Sequence, residues 1–148
     1  MASSITIRDL HDNERAWANA QYRAIQFSPT PPGTVALVAE AIEHGGARVG
    51  LGRLIAHDPD VLELGGIWTA ETVRGHGVAR AMVTALLARV ARAGYAGPLW
   101  CVPFTHLARF YQSFGFVRRA APWPSAIADK VAECVAHALP DVVVLARP

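Results

Sequence analysis

The residues whose types and spacing point most directly to chemistry are Arg74-Gly75-His76-Gly77-Val78-Ala79. Two glycines in a turn let backbone amides approach a ligand with no Cβ in the way. A long amphipathic pattern follows, so the turn opens a helix. The first N–H groups of that helix have no partner within it and carry the positive end of its dipole. Turn, arginine and helix start together make an anion site suited to a phosphate or pyrophosphate. A P-loop is excluded, because no Gly-Lys-Ser/Thr follows the glycines. His11, His44, His57 and His137 show no metal-ligand spacing, and no Ser/His/Asp set is recognisable from residue order. His44 and His57 flank a hairpin and are expected to face water.

The composition narrows the class. A chain of 148 residues suits one domain, here 1–148, with room for an ordinary core. Hydrophobic residues make up 52%, which argues against disorder. Charged residues reach only 18%, so an apolar surface is available for a homodimer interface. A net charge of +2 and the absence of any Lys/Arg run argue against nucleic acid as a partner. Cys101 and Cys134 form neither a disulfide framework nor a CxxC pair and read as buried free thiols. Met1 to Leu10 lacks the apolar core of a signal peptide, and no run is long enough to span a membrane. A soluble, cytoplasmic protein is the expectation.

The elements that must position the turn follow from periodicity. Ile5 to Arg8 alternates as a first strand, and Asp12 or Asn13 caps a helix ending near Tyr22 or Phe27. Ser28 to Gly33 is a proline-rich loop. Val35–Ile42, Val49–Ala56 and Val61–Thr69 read as consecutive antiparallel strands joined by turns at His44-Gly45-Gly46 and Asp58-Pro59-Asp60. Gly50 and Gly52 leave one face of the middle strand bare, and Gly65-Gly66 reads as a bulge or as room for a ligand. In the helix after the turn, Ala79, Met82, Leu86, Val90 and Ala93 are expected to face inward, and Gly94 to end it. Leu99 to Val102 is a short apolar strand, and a strand–helix–strand unit of this length makes it parallel to Val61–Thr69. A helix from Pro103 to Phe114 carries Leu107, Phe110, Tyr111 and Phe114 as one apolar stripe. A strand begins at Phe116. Ser125 to Ala138 follows as a helix with Ile127, Val131, Cys134 and Val135 inward, and Val142 to Ala146 is the last strand.

With these elements in place, Arg74 to Ala79 resembles the R-x-x-G-x-A form of the coenzyme A signature in the GNAT superfamily of acetyltransferases. Phe110-Tyr111-Gln112-Ser113-Phe114-Gly115-Phe116 resembles that family's F-Y-x-x-x-G-F segment. The likeness runs from about Ile5 to Phe116. It implies an α/β (α+β) fold: a mixed sheet of about six to seven strands, antiparallel in its first half, with a parallel splay between the fourth and fifth strands, and three to four helices.

The same resemblance implies acetyl-CoA as co-substrate, no metal, and N-acetylation of a small-molecule or peptide amine. Backbone N–H groups of Gly75, His76, Gly77, Val78 and Ala79, with the Arg74 side chain, would hold the pyrophosphate. The backbone of Ile67, Trp68 and Thr69 would hold the pantetheine arm as an added strand. Glu63 takes the position of the family's base and Tyr111 that of the acid that protonates the departing sulfur. The alternatives are a polar Glu63 on an open strand face and a Tyr111 that only packs. Where relatives carry an asparagine, this chain has Phe104, so that contact passes to Thr105 or His106 or is lost, and His106 is an alternative base. Trp17, Trp68 and Trp123 are candidate walls of an acceptor site. A coenzyme A-binding sensor without turnover is the second reading, and only Glu63 and Tyr111 separate it from the enzyme.

Overall fold

The computed structural model describes residues 4–31, 34–41, 45–58 and 60–148. The expectations placed on Pro32-Gly33, Ile42, His44 and Pro59 lie outside the described residues. Within them are seven strands and four α-helices: β1 (Ile5–Asp9), α1 (Arg15–Ala24), β2 (Val35–Ala41), β3 (Ala47–Asp58), β4 (Val61–Thr69), α2 (Val78–Arg92), β5 (Leu99–Cys101), α3 (Ala108–Gln112), β6 (Val117–Arg118), α4 (Ser125–Ala136) and β7 (Leu145–Arg147). The strand order is β1-β2-β3-β4-β5-β7-β6. This is the mixed α+β sheet the sequence implies.

The chain forms two compact units, Met1–Ile55 with Gly66–Tyr95, and Ala56–Gly65 with Ala96–Pro148. In the first, β1 pairs antiparallel with β2 (Ile7 opposite Ala39) and β2 with β3 (Leu37 opposite Gly52). Ala18, Tyr22, Val38 and Leu51 form a core cluster, packed by Trp17, Phe27 and Trp68. The Tyr22 hydroxyl donates to the Gly66 carbonyl at 2.7 Å. Burial pushes that hydroxyl up to about 12 against the opposing pull of Arg53, so it stays protonated as a donor. Gly66, expected at a bulge or a ligand gap, is crowded by the protein itself, since a Cβ there would lie 2.7 Å from Arg53 Nε and 2.9 Å from the Tyr22 hydroxyl.

Helix α2 packs on the bare face of β3. A Cβ on Gly50 would lie 2.7 Å from Val78 Cγ1, and one on Gly52 would lie 2.6 Å from Met82 Cγ. The buried stripe of α2 is therefore Val78, Met82, Val83 and Leu86, and not the expected set containing Ala79, Val90 and Ala93. The cause is the helix start. Gly77 caps it, so Val78 is the first helical residue, and it lands over Gly50. Gly94, at φ +70°, follows the end of the helix as expected.

In the second unit β4 pairs with β5 in parallel, Leu62 with Leu99 and Glu63 with Trp100. β7 pairs antiparallel with both β5 and β6. The expected helix from Pro103 to Phe114 is shorter. The Thr105 N–H is taken by the Asp141 carbonyl at 2.8 Å, a 3-10 turn covers Thr105–Leu107, and only Ala108–Gln112 is α-helical. Tyr111 is the buried member of its stripe, and Leu107 is exposed. The last strand likewise contracts to Leu145–Arg147. On α4, Ile127 is buried as expected, whereas Val135 is 74% exposed.

Candidate functional site

The glycine turn takes the shape its composition requires. Gly75 and Gly77 both sit at φ +82°, a region that residues with a Cβ rarely enter. A Cβ built on either would meet no heavy atom within 4 Å, so the turn is open on that side. The first intrahelical bond of α2 runs from the Ala81 N–H to the Gly77 carbonyl at 3.0 Å. The N–H groups of Gly77, Val78 and Ala79 precede it, and among the described residues no carbonyl takes them. The His76 N–H, expected to join them, donates instead to the Val73 carbonyl at 3.3 Å. The side chains of Arg74 and His76 are exposed. Open space, three unengaged donors, a helix N-terminus and an arginine fit a pyrophosphate.

Ile67, Trp68 and Thr69 end β4 in the same unit and are half-buried. The strand runs directly into the 3-10 turn Glu71–Val73, anchored by the Ala70 N–H to the Val49 carbonyl at 2.8 Å. Trp68 meets Trp17 edge to face with ring centroids 5.8 Å apart, and the Arg48 guanidinium lies 4.2 Å above the Trp17 ring. Trp123, in the other unit, donates its ring N–H to the Arg119 carbonyl at 3.0 Å.

Glu63 is not a polar residue on an open strand face. It lies on β4 at 0% exposure. Oε1 is 2.8 Å from His57 Nε2, and Oε2 accepts from Lys130 Nζ of α4. An ionised carboxylate out of water is costly unless paired and hydrogen-bonded, and here both oxygens are held. Gly65 leaves room for the pair, since a Cβ there would lie 3.4 Å from Oε2 and 3.6 Å from Nζ. His57, expected to face water, is exposed as a residue, and its ring also turns onto Glu63, with the side chain 24% exposed. Sequence reasoning missed His57 and Lys130 as partners of Glu63. One signal was present: His57 and Glu63 flank the short turn between β3 and β4, which keeps two ionisable side chains near each other in space. Lys130, 67 residues further on, left no such sign.

Tyr111 is 5% exposed, on α3, with its ring edge-on to Phe110 at 5.0 Å and to Phe116 at 6.1 Å. Burial raises its hydroxyl well above the ordinary phenol range, and the neighbouring Cys101 pushes the same way, so it holds its proton at neutral pH. Burial raises the Cys101 thiol as well. At the start of the segment before α3, Phe104 stacks on His106 at 5.9 Å. The Thr105 hydroxyl donates to the Asp141 carbonyl at 3.2 Å, so it is engaged within the fold. Among the described residues no group of three or more His, Cys, Asp or Glu is arranged to hold a metal ion, and no helix is long and apolar enough to cross a membrane.

Against known proteins, the model of the acetyltransferase (GNAT) family matches residues 5–116. No curated protein matches the chain. Among solved structures, Escherichia coli ElaA is similar at 19% identity, over 98% of this chain and 100% of that one, with a TM-score of 0.70. A GNAT family acetyltransferase from Elizabethkingia anophelis, solved with acetyl-CoA bound, is similar at 14% identity over 97% of each chain, with a TM-score of 0.65. N-acetylglutamate synthase from Neisseria gonorrhoeae, complexed with coenzyme A and N-acetyl-glutamate, aligns at 13% identity and a TM-score of 0.72, over 99% of this chain and 35% of its own.

Proposed function

The chain belongs to the acetyltransferase (GNAT) family, and from that premise we propose that it moves an acetyl group from acetyl-CoA to a primary amine of a small molecule or peptide by direct attack. Family membership favours turnover over a sensor that only binds. The observation that carries the reading is the open turn of Gly75 and Gly77 at the head of α2, with its unengaged N–H groups.

In this reading residues 1–148 act as one catalytic domain. Arg74 and the backbone from Gly75 to Ala79 hold the pyrophosphate, with Gly77, Val78 and Ala79 as the N–H donors and His76 shaping the turn. The backbone of Ile67, Trp68 and Thr69 lies along the pantetheine arm. Acetyl-CoA supplies the acyl group as a thioester. The amine must lose a proton as it attacks, and the thiolate must gain one as it leaves. Glu63 drives loss of the first proton, acting through a group that stands between its buried carboxylate and the amine, and the protonated Tyr111 hydroxyl gives the second. Burial keeps the Tyr111 hydroxyl protonated at neutral pH, so a proton is in place there, and the same burial makes the phenol a weaker acid.

Release of free thiol from acetyl-CoA tests this with butylamine, phenethylamine, spermidine and an alanine-terminated peptide as acceptors. Amine-dependent thiol release is the expected result, and tight acetyl-CoA binding without turnover on any amine defeats it. Tyr111→Phe is expected to lower kcat by about 100-fold with little change in the KM for acetyl-CoA. An unchanged kcat removes its acid role.

A further inference from the structure

We propose that His57 is the group that takes the proton from the acceptor amine, held at Nε2 by the buried Glu63 carboxylate while Lys130 holds the other oxygen of that carboxylate. This rests on the acetyltransferase reading above and gives the route by which Glu63 acts. Glu63 is fully buried, and each of its oxygens already has a donor beside it. An incoming amine therefore has no free carboxylate edge to meet. Both partners retain accessible surface, the Lys130 side chain 32% and the His57 side chain 24%, but an ammonium has no lone pair to take a proton and the imidazole at the end of β3 has one.

The charges fix what the imidazole can do. Lys130 is the only lysine of the chain, and its ammonium pairs with Oε2 of the buried carboxylate. An ionised carboxylate accepts hydrogen bonds and donates none, so it selects the His57 tautomer with the proton on Nε2. That leaves the lone pair on Nδ1, which has no hydrogen-bond partner among the described residues. The thiols of Cys101 on β5 and Cys134 on α4 feel both Lys130 and Glu63, and burial raises each thiol, so neither adds a charge. A proton gained at Nδ1 gives an imidazolium against the Glu63 carboxylate, the pairing that makes a histidine a good proton acceptor.

The step balances. The lone pair of the neutral amine forms the N–C bond to the thioester carbonyl carbon, and the C–S bond breaks with its electron pair on sulfur. The amine proton passes to His57 Nδ1, and the Tyr111 hydroxyl protonates the thiolate. Solvent then carries the proton from the imidazolium back to the phenolate. The products are the N-acetylated amine and coenzyme A as free thiol. Glu63 and Lys130 are positioning residues in this scheme.

The experiment is steady-state kinetics with whichever of the four amines turns over fastest, on the intact chain. His57→Ala is expected to lower kcat/KM for the amine by about 100-fold. The KM for acetyl-CoA should stay within about twofold, and added imidazole should restore a substantial part of the lost rate. Glu63→Gln, which keeps a hydrogen-bonding group beside Nε2 but no charge, is expected to lower kcat by about tenfold without responding to imidazole. His57→Gln is measured in parallel and stands in if the alanine variant loses its far-UV circular dichroism. A His57 variant with parental kcat, or a folded one whose loss imidazole does not repair, overturns the proposal while leaving the acetyltransferase reading intact. No turnover by the parent on any amine overturns that reading and the proposal together.

Discussion

The turn at the head of α2 and the carboxylate cluster on β4 solve the handling of charge in opposite ways. The turn is made of backbone. It is exposed, its donors are N–H groups left over by the start of a helix, and its glycines are fixed by φ +82°. The cluster is made of side chains. Its carboxylate is fully buried, and its three members come from three elements, His57 of β3, Glu63 of β4 and Lys130 of α4. An open backbone site is suited to a charge that arrives with a ligand, because desolvation is deferred until binding. A closed side-chain site suits a charge that must always be present, because its desolvation is offset within the fold itself. The difference predicts that the turn answers to changes in backbone conformation, and the cluster to changes in side-chain charge.

The largest effect should come from breaking the backbone site. Gly77→Val places a β-branched residue at φ +82°, at a strain of about 1–3 kcal/mol. Relaxing that strain turns the N–H groups of Gly77, Val78 and Ala79 away from their common direction, with a loss of about 1.5–3 kcal/mol for each charge-assisted bond. Acetyl-CoA affinity should fall by about a thousandfold in calorimetric titration. The space around Gly77 is free of protein atoms, so the fold itself should survive, as a thermal melt would show. Retained affinity would mean that the turn is not the anion site.

Next in size is the loss of one charge from the cluster. Lys130→Met leaves a fully buried carboxylate with His57 alone, and stability should drop by about 3 kcal/mol in urea unfolding. A second substitution, Glu63→Leu, should restore much of that stability while leaving kcat below the parent's, because the penalty belongs to the unpaired charge. A Lys130→Met protein as stable as the parent would show that the ion pair contributes nothing to the fold. It would then place the cluster closer to the turn in character than the burial of Glu63 suggests.

The two regions also differ in how far the sequence revealed them. The turn is legible because its demand is local. A left-handed backbone conformation asks for glycine, and a helix must start somewhere, so Gly75, Gly77 and the run after them carry the message together. The parallel pairing of β4 with β5 is legible for a similar reason, since the length of the connection through α2 dictates it. The bare face of β3 at Gly50 and Gly52 was visible too, but which residues of α2 would cover it was not. That depended on where Gly77 set the first turn, which brought Val78 and Val83 into the buried stripe beside Met82 and Leu86. Val135, apolar and in phase with Ile127 and Val131, ends 74% exposed because periodicity reports which residues can face inward, and not whether anything packs there. Lys130 was least legible of all. Nothing within 67 residues marks it as the partner of Glu63, and a lone lysine on an amphipathic helix ordinarily reads as a solvated face.

The smallest effect should come from the one side chain assigned to the turn. Arg74 is exposed, so in the proposed site its guanidinium would meet a phosphate in high dielectric, where such pairs contribute about 0.2–1 kcal/mol. Arg74→Gln should therefore raise the Kd for acetyl-CoA by no more than about fivefold at low salt. At 1 M salt, where charges more than about 3 Å apart are screened, the two proteins should converge. The backbone donors are short-range and directional, so the Gly77→Val loss should persist at both ionic strengths. A salt titration of the two variants side by side separates charge attraction from backbone geometry. If Arg74→Gln costs as much as Gly77→Val, the anion is held by side-chain charge after all. The turn would then work by the same principle as the Glu63 cluster, and the contrast between the two regions would collapse to a difference in burial alone.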